Sequence, residues 1–229
     1  MSDGSAFERT FYPFLGAQPQ DAGAASAALL SAVRDSTLAK SREVIALRKE
    51  LLAEYADEIG RAAEGVAGRF ARGARLLAFG NGGSATDAED VAVDCVSPPH
   101  ARWRSLPALS LSAESATMTA LANDVGFEHV YVRQLAALGS SDDIAMGFST
   151  SGNSANVLAA FAEARRLGML TIAFSGYGGG DMARAGAVDF CFVVRREFVP
   201  RIQEGHATIW HALLGLTQAA LEKRLESVA

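Results

Sequence analysis

Two turns rich in Gly and Ser, Gly80-Asn81-Gly82-Gly83-Ser84 and Ser149-Thr150-Ser151-Gly152-Asn153-Ser154, each follow an apolar run and lead into a helical pattern. Gly lets backbone approach an anion closely, amides at the start of a following helix point at it, and Ser or Thr hydroxyls add donors without bulk. Taken singly, each turn is what any strand-to-helix connection uses for conformational reasons. Two of them at strand C-terminal ends in one short chain point to a phosphate held in the crevice of an open α/β sheet. Nucleotide fingerprints fit less well. Gly80-Asn81-Gly82-Gly83 lacks the third Gly of the dinucleotide motif, and neither turn ends in Gly-Lys-Ser/Thr. The expected ligand is a sugar phosphate.

Beyond the first turn, Asp87, Asp90 and Asp94 fall at i, i+3 and i+7, which puts three carboxylates on one helical stripe. Such a stripe suits an acid/base group or a metal ligand at the far end of a bound sugar phosphate. It equally suits a solvated face, because carboxylates near a helix start are favoured by the macrodipole. Near the C-terminus, Arg201-Ile202-Gln203-Glu204-Gly205-His206 precedes Trp210-His211. Gln203 and His211, eight residues apart, share one broad helical face, and His206 lies on another. His211 is a candidate base or ligand if that helix passes the crevice.

Positioning these residues takes regular elements. Residues 1–22 contain Gly, Pro and Gln without a helical period but carry Phe7, Phe11, Tyr12 and Phe14, an aromatic tail suited to docking on a neighbour. From Ala24 to about Arg72, apolar residues recur at three- and four-residue steps, predicting one or two long helices with a break at Asp35-Ser36-Thr37 and a closing Gly73. Strands are expected at 75–79, 106–111, 143–148, 170–174 and 188–194, and helices near 85–96, 114–123, 127–138, 154–168 and 201–226. Alternation of this kind predicts an α/β domain, residues 23–229, with a parallel sheet covered on both faces and preceded by a helical segment.

Composition bounds the function. At 229 residues, with 49% hydrophobic and 21% charged, the chain can bury a full core. A net charge of −5 with dispersed basic residues gives no attraction for nucleic acid. Cys95 and Cys191 lie in apolar stretches, as free thiols of a reducing compartment do. With neither a signal-peptide pattern nor a bilayer-length apolar run, the expected location is the cytoplasm and no membrane partner is expected.

From about residue 40 onward the chain resembles the phosphoheptose isomerases, sugar-isomerase (SIS) domain enzymes that interconvert sedoheptulose 7-phosphate and a heptose 7-phosphate. The matching pieces are Gly80–Ser84 with Asp87-Ala88, Ala122-Asn123-Asp124 with Gly126-Phe127, Ser149–Val157, and Arg201–Glu204 with His206 and His211. The resemblance implies a single SIS domain with a five-stranded parallel sheet flanked by helices, a homotetramer, and active sites between subunits. It also implies substrate binding by Asn81, Gly82, Gly83, Ser84, Asn123, Asp124, Ser149, Thr150, Ser151, Ser154 and Gln203.

The resemblance also implies catalysis by Asp94 and His211, and a divalent metal on Asp90, Asp94, Gln203 and His211. Two positions depart from the family: Asp90 stands where it has a metal-binding His, and Asp94 where it has a catalytic, metal-binding Glu. The family's Thr-Gly-Arg is replaced by Val96-Ser97-Pro98-Pro99. An oxygen-rich set moves the expected metal from the family's Zn toward Mn or Mg. The expected function is an aldose-ketose isomerase of a phosphorylated sugar; the alternative is a noncatalytic phosphosugar-binding or protein-interaction module.

Overall fold

The alternation of apolar runs and helical stretches produces one five-stranded sheet in the computed structural model of the chain, which describes residues 22–184 and 186–226. In chain order the elements are α1 (Ala22–Phe70), β1 (Leu76–Gly80), α2 (Gly83–Val96), β2 (Ala108–Ser110), α3 (Ser115–Val125), α4 (Val130–Leu138), β3 (Ile144–Ser149), α5 (Ala155–Leu167), β4 (Leu170–Gly176), β5 (Phe190–Val194) and α6 (Val199–Glu226). The strands lie in the order β2-β1-β3-β4-β5 and every neighbouring pair is parallel. The order reverses at β1, whose two neighbours are reached by crossovers in opposite directions. That leaves a crevice outside the C-terminal ends of β1 and β3.

Side chains alternate between the two faces of a strand. Leu76, Ala78, Ile144, Met146 and Phe148 join the core formed with α1, α2 and α6, whereas Leu77, Phe79 and Ala145 join the core under α4 and α5. Every residue of β1 and β3 is buried, as a sheet covered on both faces requires.

Contacts divide the chain at Ile45. In the first part, the described side chains from residue 26 are exposed except half-buried Val44, and they include Leu29, Leu30 and Val33. The second part, residues 46–229, holds the sheet and both cores.

Several expected boundaries are corrected. Asp35-Ser36-Thr37 does not interrupt α1: the Thr37 hydroxyl donates to Val33 O at 2.8 Å, one turn back, and so bonds within the helix instead of capping a new one. Gly73 does close it, in the left-handed region at φ 85° with its amide on Phe70 O. β2 is shorter than expected, starting after Pro107, which has no N–H to give a ladder. The expected helix 127–138 opens with a separate 3-10 turn, Phe127–His129. The aromatic tail lies outside the described residues. No helix among those described is long and apolar enough to cross a membrane.

Candidate active site

At the end of β3 the chain turns through residues 149–154 into α5. Ser149 Oγ lies 2.9 Å from Ser154 Oγ and 3.4 Å from Ser151 Oγ, and Ser151 Oγ accepts from the Asn153 amide at 3.2 Å. Three hydroxyls therefore gather before a helix whose first amides have no intrahelical partner. Gly152 makes the turn possible. Its φ is +67°, and a Cβ there would lie 2.0 Å from the Gly179 carbonyl oxygen.

The turn after β1 is tied to this loop across the switch point. Asn81 Nδ2 donates to Asn156 Oδ1, and Asn156 Nδ2 to Asn81 Oδ1, each at 2.8 Å. Beneath them the Tyr131 hydroxyl donates to Gly80 O. Burial raises the pKa of that hydroxyl, against the pull of its bonds to Ser112 and Gly80, so it remains a neutral donor.

The second half of the site is the seam between α2 and α6. Gln203 Nε2 lies 3.4 Å from each Asp87 carboxylate oxygen. Seven residues on, Trp210 Nε1 donates to Asp94 Oδ2 at 3.1 Å, and His211 Nε2 lies 3.4 Å from the same oxygen. The pairs Asp87–Gln203 and Asp94–Trp210 are both 116 residues apart, so the helices run parallel and repeat their contact after two turns. Gly83 leaves room for the Gln203 amide, since a Cβ there would come within 2.7 Å of Nε2.

His206 is fully buried against Phe148 and Phe174. Its Nε2, 2.9 Å from Ser175 O, must donate, because a carbonyl only accepts. Its Nδ1 stands 3.7 Å from Asp87 Oδ2 without a hydrogen bond. His206 supports the seam from behind.

Of the residues expected in the site, Asn81, Gly82, Gly83 and buried Ser84 form the first turn, and Ser149, Thr150, Ser151 and Ser154 the second. Asn123 and Asp124 are exposed at the end of α3, where the Asn123 amide donates to Asp124 at 2.9 Å. Of the set Asp90, Asp94, Gln203 and His211, only Asp94 and His211 come together. Gln203 turns to Asp87, and Asp90 is exposed with no hydrogen-bond or ion-pair partner among the described residues. Nor do three His, Cys, Asp or Glu side chains converge as a metal site among those residues. Among the described residues only Asp94 and His211 come together, with one Asp94 oxygen already bonded to the Trp210 indole, and this pair alone does not fit a divalent ion.

Sequence reasoning missed the partner role of Asp87, the bond from Trp210 and the Asn81–Asn156 bridge. The equal spacing of 87/94 and 203/210 is the signal that could have found the seam.

A parallel sheet in this order, with a hydroxyl loop at its switch point, is a frame of phosphate-binding α/β proteins. The SIS domain signature matches residues 41–176. Phosphoheptose isomerase from Desulfovibrio desulfuricans is 43% identical over 196 residues, covering 85% of this chain and 92% of that protein. Phosphoheptose isomerase from Roseiflexus is 40% identical over 177 residues, covering 77% and 89%. Among solved structures, phosphoheptose isomerase GmhA from Neisseria gonorrhoeae matches with a TM-score of 0.74 and 32% identity, covering 82% of this chain and 99% of that one. Phosphoheptose isomerase from Francisella tularensis matches with a TM-score of 0.75 and 30% identity, covering 82% and 98%. The chain belongs to the phosphoheptose isomerase family of SIS-domain proteins.

Proposed function

We propose that the protein interconverts sedoheptulose 7-phosphate and a heptose 7-phosphate, with phosphate on the serine loop and proton transfer at Asp94 and His211. The carrying observation is that Asp94 of α2 and His211 of α6 meet at 3.4 Å on a seam whose α2 begins at the first glycine turn. From Gly83 to Asp94 the helix rises about 16 Å.

In the open-chain ketose, the Asp94 carboxylate takes a proton from C1. The C–H electron pair becomes the C1=C2 bond, and the carbonyl oxygen accepts a proton from His211, giving an enediol. The imidazole then takes the O1 proton as Asp94 returns its proton to C2, leaving the aldehyde at C1. The Asp94 side chain is 21% exposed and His211 64%, so substrate can reach both.

The same reading makes the protein a cytoplasmic homotetramer. Free Cys95 and Cys191 support a reducing compartment, and exposed Leu29, Leu30, Val33 and Leu38 along α1 support an apolar interface. The deciding assay is NMR of sedoheptulose 7-phosphate with purified protein, with and without a chelator. Conversion supports the isomerase, and conversion that survives the chelator supports proton transfer by side chains alone. Saturable binding without conversion leaves a noncatalytic phosphosugar-binding module, the reading favoured by exposed Asp90, which has no partner among the described residues.

A further inference from the structure

Asp94 carries its carboxylate on a side chain one methylene shorter than the Glu that the family resemblance implies at this position, and its placement therefore depends on what grips it. Trp210 is 4% exposed, held in the α6 row with Ile209, Leu213 and Leu214 that packs into the sheet core. Its indole N–H reaches Asp94 Oδ2 at 3.1 Å, and the same oxygen faces His211 Nε2 at 3.4 Å. An indole donates but cannot accept or release a proton under working conditions. It can fix the direction of a carboxylate without competing for the proton that the carboxylate moves.

We propose that Trp210 is a positioning residue for the reaction: by clamping Asp94 Oδ2 it sets the rotamer of Asp94 against His211 and the substrate carbon. The inference rests on the isomerase reading. The buried ring anchors one end of the clamp, and the short Asp side chain, with few rotamers, turns that single bond into a fixed position. His211, on the exposed neighbouring position of α6, keeps the mobility that shuttling between two oxygens needs.

Trp210→Phe keeps an aromatic ring in the core and removes the N–H. It is expected to lower kcat on the order of tenfold with KM within about twofold, because a misplaced base costs turnover and not phosphate binding. In an Asp94→Ala background the same substitution is expected to change kcat no further. Equal kcat in Trp210→Phe and wild type, or a further loss in the Asp94→Ala background, overturns the proposal.

A second measurement needs no turnover and no Trp210 variant. The chain has two tryptophans, so Trp103→Phe leaves Trp210 as the sole indole. Its ultraviolet resonance Raman N–H band is expected to move to the position of a weaker hydrogen bond when Asp94→Ala is added. An unmoved band overturns the clamp whether or not the protein is an isomerase. A moved band in a protein that turns over no sugar phosphate overturns the isomerase reading, and the positioning role with it, while the bond itself stands; the two failures are thus told apart.

Discussion

The loop after β3 and the seam between α2 and α6 both present oxygens and side-chain amides toward the crevice, but they are built over different ranges of chain. In the loop, Ser149, Ser151 and Ser154 meet within six residues, around one glycine whose conformation the turn demands. In the seam, the polar contacts Asp87–Gln203, Asp94–Trp210 and Asp94–His211 join residues 116 or 117 positions apart, so each depends on how two helices lie on the sheet. On the proposed reading the loop binds a group common to all phosphosugars and can be carried as a local motif. Contacts at the seam are set by register, so the Asp94 carboxylate can be bonded from the opposite helix without altering the loop.

The largest effect separating the two regions is expected at the seam. Asp94→Asn or His211→Ala should lower kcat by roughly 10² to 10⁴, the usual contribution of a positioned acid or base, while sugar-phosphate affinity stays near wild type. Calorimetry alongside the NMR assay reads both. A parallel loss of affinity would break the division between holding and reacting.

Next comes the loop backbone. Gly152→Ala places a Cβ at φ +67° and 2.0 Å from a carbonyl oxygen. Strain and overpacking together should cost at least about 3 kcal/mol, read as a lower denaturation midpoint. A variant as stable as wild type would mean that the turn at Gly152–Gly179 is looser than the seam and not the more tightly specified region.

This difference in range decided what could be read in advance. The parallel sheet was legible because β1, β3 and β4 are short, mostly apolar runs separated by helical periods, and the serine loop because its atoms are neighbours in sequence. Gln203 and His211 were recognised as sharing a face of α6, yet nothing in one helix tells which residue of another it meets. Asp87 therefore passed for the foot of an acidic stripe. Asp90, expected in the metal set, lies exposed on α2. The break at Asp35-Ser36-Thr37 was misread because Ser and Thr can cap a helix or bond back into it, and Thr37 does the second.

A smaller effect belongs to the hydroxyls of the loop. Ser149→Ala with Ser151→Ala should weaken sugar-phosphate binding by about 1 to 3 kcal/mol, since hydrogen bonds to charged groups are worth roughly 1.5 to 3 each and water makes up part of the loss. Turnover at saturating substrate should change less than affinity, the reverse of the seam variants. Unchanged affinity in calorimetry would remove the phosphate from this loop.

The smallest effect makes the seam report on its own burial. Cys95, the residue after Asp94 on α2, is fully buried, and its thiol is pushed up from 9.0 to about 12, mainly by loss of solvation and secondarily by the Asp94 charge. The folded state therefore keeps a proton that the unfolded chain releases above pH 9, so the unfolded state binds fewer protons and stability falls as pH rises from about 9 toward 12. Between pH 8 and pH 10 this one group should remove about 1.4 kcal/mol, one pKa unit's worth. Tyr55 and Tyr131, whose pKa values burial also raises, act in the same direction, so the contribution of Cys95 is read as a difference. Denaturant midpoints under reducing conditions should fall less steeply with pH in Cys95→Ala than in wild type. Matching slopes would place solvent at Cys95 and loosen the packing on which the grip on Asp94 depends.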